Sequence, residues 1–159
     1  MKIAGIVWAT ISVLVAAGIF FASAQTGEAS AAASAAIADW FRGFFPGGEP
    51  GEPVSASHEV NFLVRKGAHI AVYFVLAFCV AQSLKFYISR RRLLLFSWAI
   101  ASVYGVFDEI HQYFVPGRAM LLSDMIINAV GAFIGAGIVV LILNRRDSDR
   151  GGVASPPAF

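Results

Sequence analysis

A single cysteine is too few to build with. Cys79 stands alone in an apolar run, so no intramolecular disulfide, zinc knuckle or CxxC redox pair can form, and the residue reads as a small buried apolar side chain. Charge is scarce as well. Charged residues make up 14% of the 159-residue chain, and 12 Lys and Arg against 10 Asp and Glu leave a net charge of +2. That argues against a nucleic-acid partner, which needs a concentrated basic face. What is plentiful is apolar surface, at 58% of residues and a mean hydropathy of +0.71. A soluble domain of this length could not hide so much, and the solvent it implies is lipid.

Four apolar stretches, near 3–24, 67–84, 93–115 and 120–143, each approach the ~20 residues that cross a hydrocarbon core of about 30 Å. The predicted fold is an all-α integral membrane bundle of about four transmembrane helices. Residues 1–24 are read as the first of these, longer than the usual signal core of about 7–15 residues. The alternative for them is a secretory signal ending at Ala22-Ser23-Ala24-Gln25. Residues 25–61 run through an Ala/Ser-rich and then a Pro/Gly/Glu-rich stretch with little to bury, and read as an extracytoplasmic loop. Within it, the aromatic cluster from Ile37 to Phe45 either lies on the membrane interface as a short helix or is a loose linker. Residues 62–143 form the three-helix core, and 144–159 a cytoplasmic tail.

Short loops rich in Lys and Arg stay in the cytoplasm. Lys2, Lys85, Arg90, Arg91, Arg92, Arg145, Arg146 and Arg150 fall on one side of a four-helix arrangement, and Arg42, Arg65, Lys66 and Arg118 on the other. Both termini are therefore expected to be cytoplasmic. The third and fourth helices are expected to be joined outside by the tight Val115-Pro116-Gly117-Arg118 turn.

Ionisable residues inside a membrane are costly and by default mark function. Here they form stripes. Lys66, His69 and Tyr73 share one helix face, at spacings of three and four. Tyr104, Asp108, His111 and Gln112 share a second, with Glu109 about 100° away from Asp108. Asp124, Asn128, Gly131 and Gly135 share a third. Asp108 comes about 15 residues, roughly 22 Å, after the cytoplasmic start of its helix. The topology therefore puts all three stripes in the outer part of the bilayer, as one outward-facing polar pocket. Gly131 and Gly135 form a GxxxG pair suited to close helix packing, and one possible surface for a homo-oligomer.

The run Arg65-Lys66-Gly67-Ala68-His69 with Tyr73, the block from Asp108-Glu109-Ile110-His111-Gln112 to Pro116-Gly117-Arg118, and Asp124 and Asn128 with Gly131 resemble the VanZ-like family of small bacterial membrane proteins. The resemblance covers about residues 60–140. The family is named for a member linked to resistance to the glycopeptide teicoplanin. What it implies is a multi-pass protein of the bacterial cytoplasmic membrane, associated with the cell envelope.

Two functional readings follow. In the first, the site acts on a membrane lipid or lipid-linked envelope precursor, with His69 or His111 as general base and Asp108 or Glu109 orienting the imidazole. In the second, it only binds an anionic headgroup, with Lys66 and Arg118 as anchors, Tyr73 and Tyr104 as walls, and Gln112, Asp124 and Asn128 as polar contacts. A metal held by His69, Asp108, His111 and Asp124 is the lesser variant, because such groups also make ordinary hydrogen-bonded pairs. No metal is expected, and no cofactor is indicated. The structural alternative is an ion-pair network that only holds helices together.

The orientation is checked by thiol labelling in a Cys79→Ala background. An impermeant reagent on intact cells is expected to label Pro50→Cys and spare Arg90→Cys; the opposite pattern would invert the topology.

Overall fold

The computed structural model describes residues 2–42 and 58–151. Among them lie five helices and no strand: α1 (Lys2–Ser23), α2 (Gly27–Arg42), α3 (His58–Leu84), α4 (Arg90–Tyr113) and α5 (Leu122–Gly151). Four are long and apolar enough to cross a membrane, over Ile3–Ser23, Phe62–Leu84, Arg90–Tyr113 and Leu122–Asp149. Their outward surface suits lipid. Val13, Leu14 and Phe21 on α1, Phe107 on α4 and Ile126 on α5 are all exposed, as a bundle solvated by hydrocarbon requires.

Helix α3 is the hub, packing on every other helix. Its tightest partner is α5. A Cβ on Gly131 would lie 2.5 Å from the carbonyl oxygen of Ile70, and one on Gly135 would strike that of Phe74. The two glycines therefore bring backbone against backbone, the use expected of a GxxxG pair. They lie inside the bundle, not on its rim. Because residues 70 and 74 meet 131 and 135 in ascending order, α3 and α5 run parallel. Tyr104 meets Ala16 and Gln112 meets Ser23 in the same manner, so α1 and α4 are parallel too. By contrast Arg90, at the start of α4, bonds Asn144 and Asp147 near the end of α5.

Three elements differ from the sequence reading. The Ala/Ser-rich part of the expected loop is helical, capped by the Thr26 hydroxyl, which accepts from the Ala29 amide at 3.3 Å. Its seven alanines have the highest helix propensity, and they need only a small surface to lie on. Helix α2 finds that surface on α3. It ends at Arg42, so the last part of the aromatic cluster, from 43 to 45, lies outside the described residues. Helix α3 starts at His58, so Lys66 and His69 sit more than two turns inside a helix and not at its start. Helix α5 continues to Gly151, through the first half of the expected tail.

The α4–α5 connection is a tight turn. The Arg118 amide donates to Val115 O at 3.1 Å, with Pro116 and a left-handed Gly117 (φ 73°) between them, as in a type II turn. Pro116 O also accepts from the Gly27 amide at 3.0 Å, which latches this turn to the start of α2.

Gly135→Leu is expected to cost at least about 1–3 kcal/mol through overpacking, read as a lowered Tm in detergent. Gly137→Leu, where nothing lies within 4 Å of the added Cβ, should leave Tm nearly unchanged.

Candidate functional site

The parallel pairs place the C-terminal ends of α1 and α4 beside the N-terminal ends of α3 and α5. Polar side chains gather at that end in two layers.

The inner layer lies between α3, α4 and α5. The Lys66 ammonium pairs with Asp124 Oδ1 and donates to Ser123 Oγ at 3.2 Å. His69 Nδ1 bonds Asn128 Oδ1 at 2.9 Å, and Glu109 Oε1 lies 4.0 Å from the same nitrogen. The other Glu109 oxygen accepts from the Leu121 amide at 3.1 Å. Ligand atoms of His69, Glu109 and Asp124 all fall within 4.8 Å of one another. Gly105 makes room for this layer, since a Cβ there would press on Asn128 and the Tyr73 ring at 3.1 and 3.2 Å.

The outer layer is a relay reaching α1. Gln112 Nε2 donates to Asp108 Oδ2 at 3.0 Å and to Ser23 Oγ at 3.1 Å, and its Oε1 accepts from Arg118 Nη1 at 3.0 Å. Arg118 also donates to the carbonyls of Gln25 and Ala22, at 3.2 and 3.4 Å. All of its acceptors are neutral. Burial, and then the neighbouring Arg65 guanidinium, lower its pKa below the ordinary arginine value, while Asp108 and Glu109 act the other way. Among the described residues Arg65 makes no ion pair or hydrogen bond.

A cavity of about 520 Å³ opens beside this layer, within the range of ligand sites. Apolar side chains of α1, α2 and α3 line its length, among them Val15, Ile19, Ile37, Val72 and Val75, and Arg65, His69, Tyr73, Asp108, Gln112 and Arg118 line its polar end. His69 joins the two layers: its ring lines the cavity and its Nδ1 is held from the inner side.

The structure thus assembles Lys66, His69, Tyr73, Asp108, Glu109, Gln112, Arg118, Asp124 and Asn128 at one end of the bundle. Asp108 and Glu109 separate, the first turned to the cavity and the second to the inner layer. Two candidates lie elsewhere. His111 stacks on Phe20 of α1, with ring centroids 4.4 Å apart, and the Tyr104 hydroxyl donates to Ala16 O at 2.6 Å. Of the residues named for a metal, His69 and Asp124 meet, with Glu109 as the third group in place of Asp108 and His111. Arg65 and Ser23 were missed as site residues. For Arg65 the signal was present: Arg65, His69 and Tyr73 follow at steps of four and share a helix face.

Lys66→Met should destabilise the fold by about 3–5 kcal/mol, because it leaves Asp124 buried without a cation. Lys66→Met with Asp124→Leu should recover most of that loss in thermal unfolding, and an undiminished Tm in the single variant would count against a structural ion pair.

No curated protein and no solved structure matches the chain significantly. The sequence model of the VanZ/LLP1 family matches residues 8–143. The match includes α1, which the motif resemblance over 60–140 did not reach. With four apolar helices long enough to span a bilayer and this match over most of its length, the chain is a multi-pass membrane protein belonging to the VanZ/LLP1 family.

Proposed function

We propose that the chain binds a membrane amphiphile, a lipid or lipid-linked envelope precursor, at the outer side of the bacterial cytoplasmic membrane. Its tail lies along the apolar cavity between α1, α2 and α3, and its anionic headgroup rests on Arg65 and Arg118. The observation that carries this reading is the pair of guanidiniums at the polar end of that cavity, neither of them ion-paired among the described residues. Adjacent cations in a low-dielectric site repel unless an anion lies between them, and guanidinium suits the oxygens of a phosphate. Lys66, the anchor suggested by helix spacing, is engaged with Asp124, and Arg65 takes that role.

A purely structural network is the competing reading. It accounts poorly for the buried polar atoms left without a hydrogen-bond partner among the described residues: Arg65 Nε, Glu109 Oε1, Asp124 Oδ2 and Asn128 Nδ2 all belong to this cluster. Each such atom costs about 1–3 kcal/mol if nothing meets it, whereas a network built only for cohesion closes its own bonds. Binding needs no turnover, but the site has a group suited to it. With Nδ1 held by Asn128, His69 has Nε2 left for a proton or a cation.

Native mass spectrometry of the detergent-purified protein tests the reading. A co-purifying phospholipid or isoprenoid-linked phosphate is expected on the wild type, and Arg65→Ala with Arg118→Ala should weaken its retention by about tenfold or more. An altered bound lipid in His69→Ala would mark turnover. Equal occupancy in wild type and the double variant, or none in either, would return the cluster to the structural reading.

A further inference from the structure

The inner layer has a feature that headgroup binding does not use. Glu109 and Asp124 are both 0% exposed, and each holds one oxygen on a protein donor: Glu109 Oε2 on the Leu121 amide and Asp124 Oδ1 on Lys66. The other oxygen of each, Oε1 and Oδ2, is buried and has no hydrogen-bond partner among the described residues. The third member of the trio is His69, whose Nδ1 is held by Asn128 Oδ1, and the three ligand atoms lie within 4.8 Å of one another. Each carboxylate is fixed through one oxygen with the other free of hydrogen bonds, and the His69 ring lies beside them with Nδ1 at 4.0 Å from Glu109 Oε1, so the side chains are held close enough together to share one ion.

Charge points the same way. Lys66 is committed to Asp124, and among the described residues Arg65 and Arg118 make no ion pair with Glu109. The nearest group to Glu109 Oε1 able to carry positive charge is the His69 ring at 4.0 Å. A carboxylate inside a helical bundle is stable when a cation meets it.

We infer that His69, Glu109 and Asp124 form a binding site for one divalent transition-metal ion. One nitrogen and two carboxylate oxygens suit Zn2+ or Mn2+ better than Mg2+ or Ca2+, which prefer oxygen alone. A ligand distance of about 2.0–2.2 Å for Zn2+ is reached by drawing the three side chains inward. Lys66 stays on Asp124 Oδ1 and keeps that carboxylate oriented. The ion sits behind the headgroup cradle, with His69 as the one ligand shared with the cavity wall.

The test uses the untagged, full chain in detergent, stripped with a chelator, then loaded with Zn2+ or, separately, Mn2+ and freed of excess. Elemental analysis is expected to find about one ion per chain, with affinity about 100-fold or more weaker in Glu109→Gln and in Asp124→Asn. His111→Ala, outside the trio and stacked on Phe20, should load as the wild type does. Arg65→Ala with Arg118→Ala should weaken lipid retention yet keep metal, so the metal site and the lipid reading fail separately. A wild-type chain that takes up no ion overturns the inference whatever the variants do. Equal loading in wild type, Glu109→Gln and Asp124→Asn overturns it too, as adventitious uptake.

Discussion

The contact on which the site depends is the backbone approach of α5 to α3 at Gly131 and Gly135. Inside lipid no hydrophobic force draws helices together, so close van der Waals packing and interhelical hydrogen bonds must do so. With both glycines seated on the Ile70 and Phe74 carbonyls, the rotation and height of α5 relative to α3 are set together. One turn further toward the polar end, the same register brings Asn128 to His69, and one turn beyond that Asp124 to Lys66. A larger residue at either glycine would push the partners of these polar pairs apart along with the helices.

From that register the cluster divides the labour of two neighbouring carboxylates. Asp108 and Glu109 are adjacent in sequence and both buried, yet a turn of about 100° sends them to different surroundings. Asp108 joins the Gln112–Arg118 relay on the cavity side, and Glu109 meets the Leu121 amide and His69 behind it. The cavity side holds Arg65 and Arg118, neither ion-paired among the described residues, and the inner side holds the Glu109 and Asp124 carboxylates. A site with this polarity can meet an anion and a cation at once, with His69 between them.

Much of this was legible before any coordinates. Alternating helix direction fixes which helix ends lie side by side, so Lys66, His69, Asp108 and Asp124 could be placed together from hydropathy and spacing alone. Which cation faces the cavity was not legible. Arg65 and Lys66 differ by one position, and which of them reaches Asp124 is decided by the rotation of α3 against the glycines of α5. His111 turns elsewhere for a similar reason: three residues from Asp108 is close enough to share a face, but its imidazole stacks on Phe20 of the neighbouring α1. Helix α2 escaped notice because an alanine-rich segment has no apolar period to detect, although its helix propensity is high.

The hold of Arg118 on the α1–α2 connection has a separate consequence. The guanidinium reaches Ala22 and Gln25 through their carbonyl oxygens, and Gly27 meets Pro116 through its amide. None of these bonds reads a side chain. Residues 22 and 25 can therefore drift in identity as long as the chain keeps its path, whereas inserting or deleting even one residue between Ser23 and Gly27 would move the carbonyls and release the arginine. Tolerance of substitution and intolerance of length change are thus written into the same short segment.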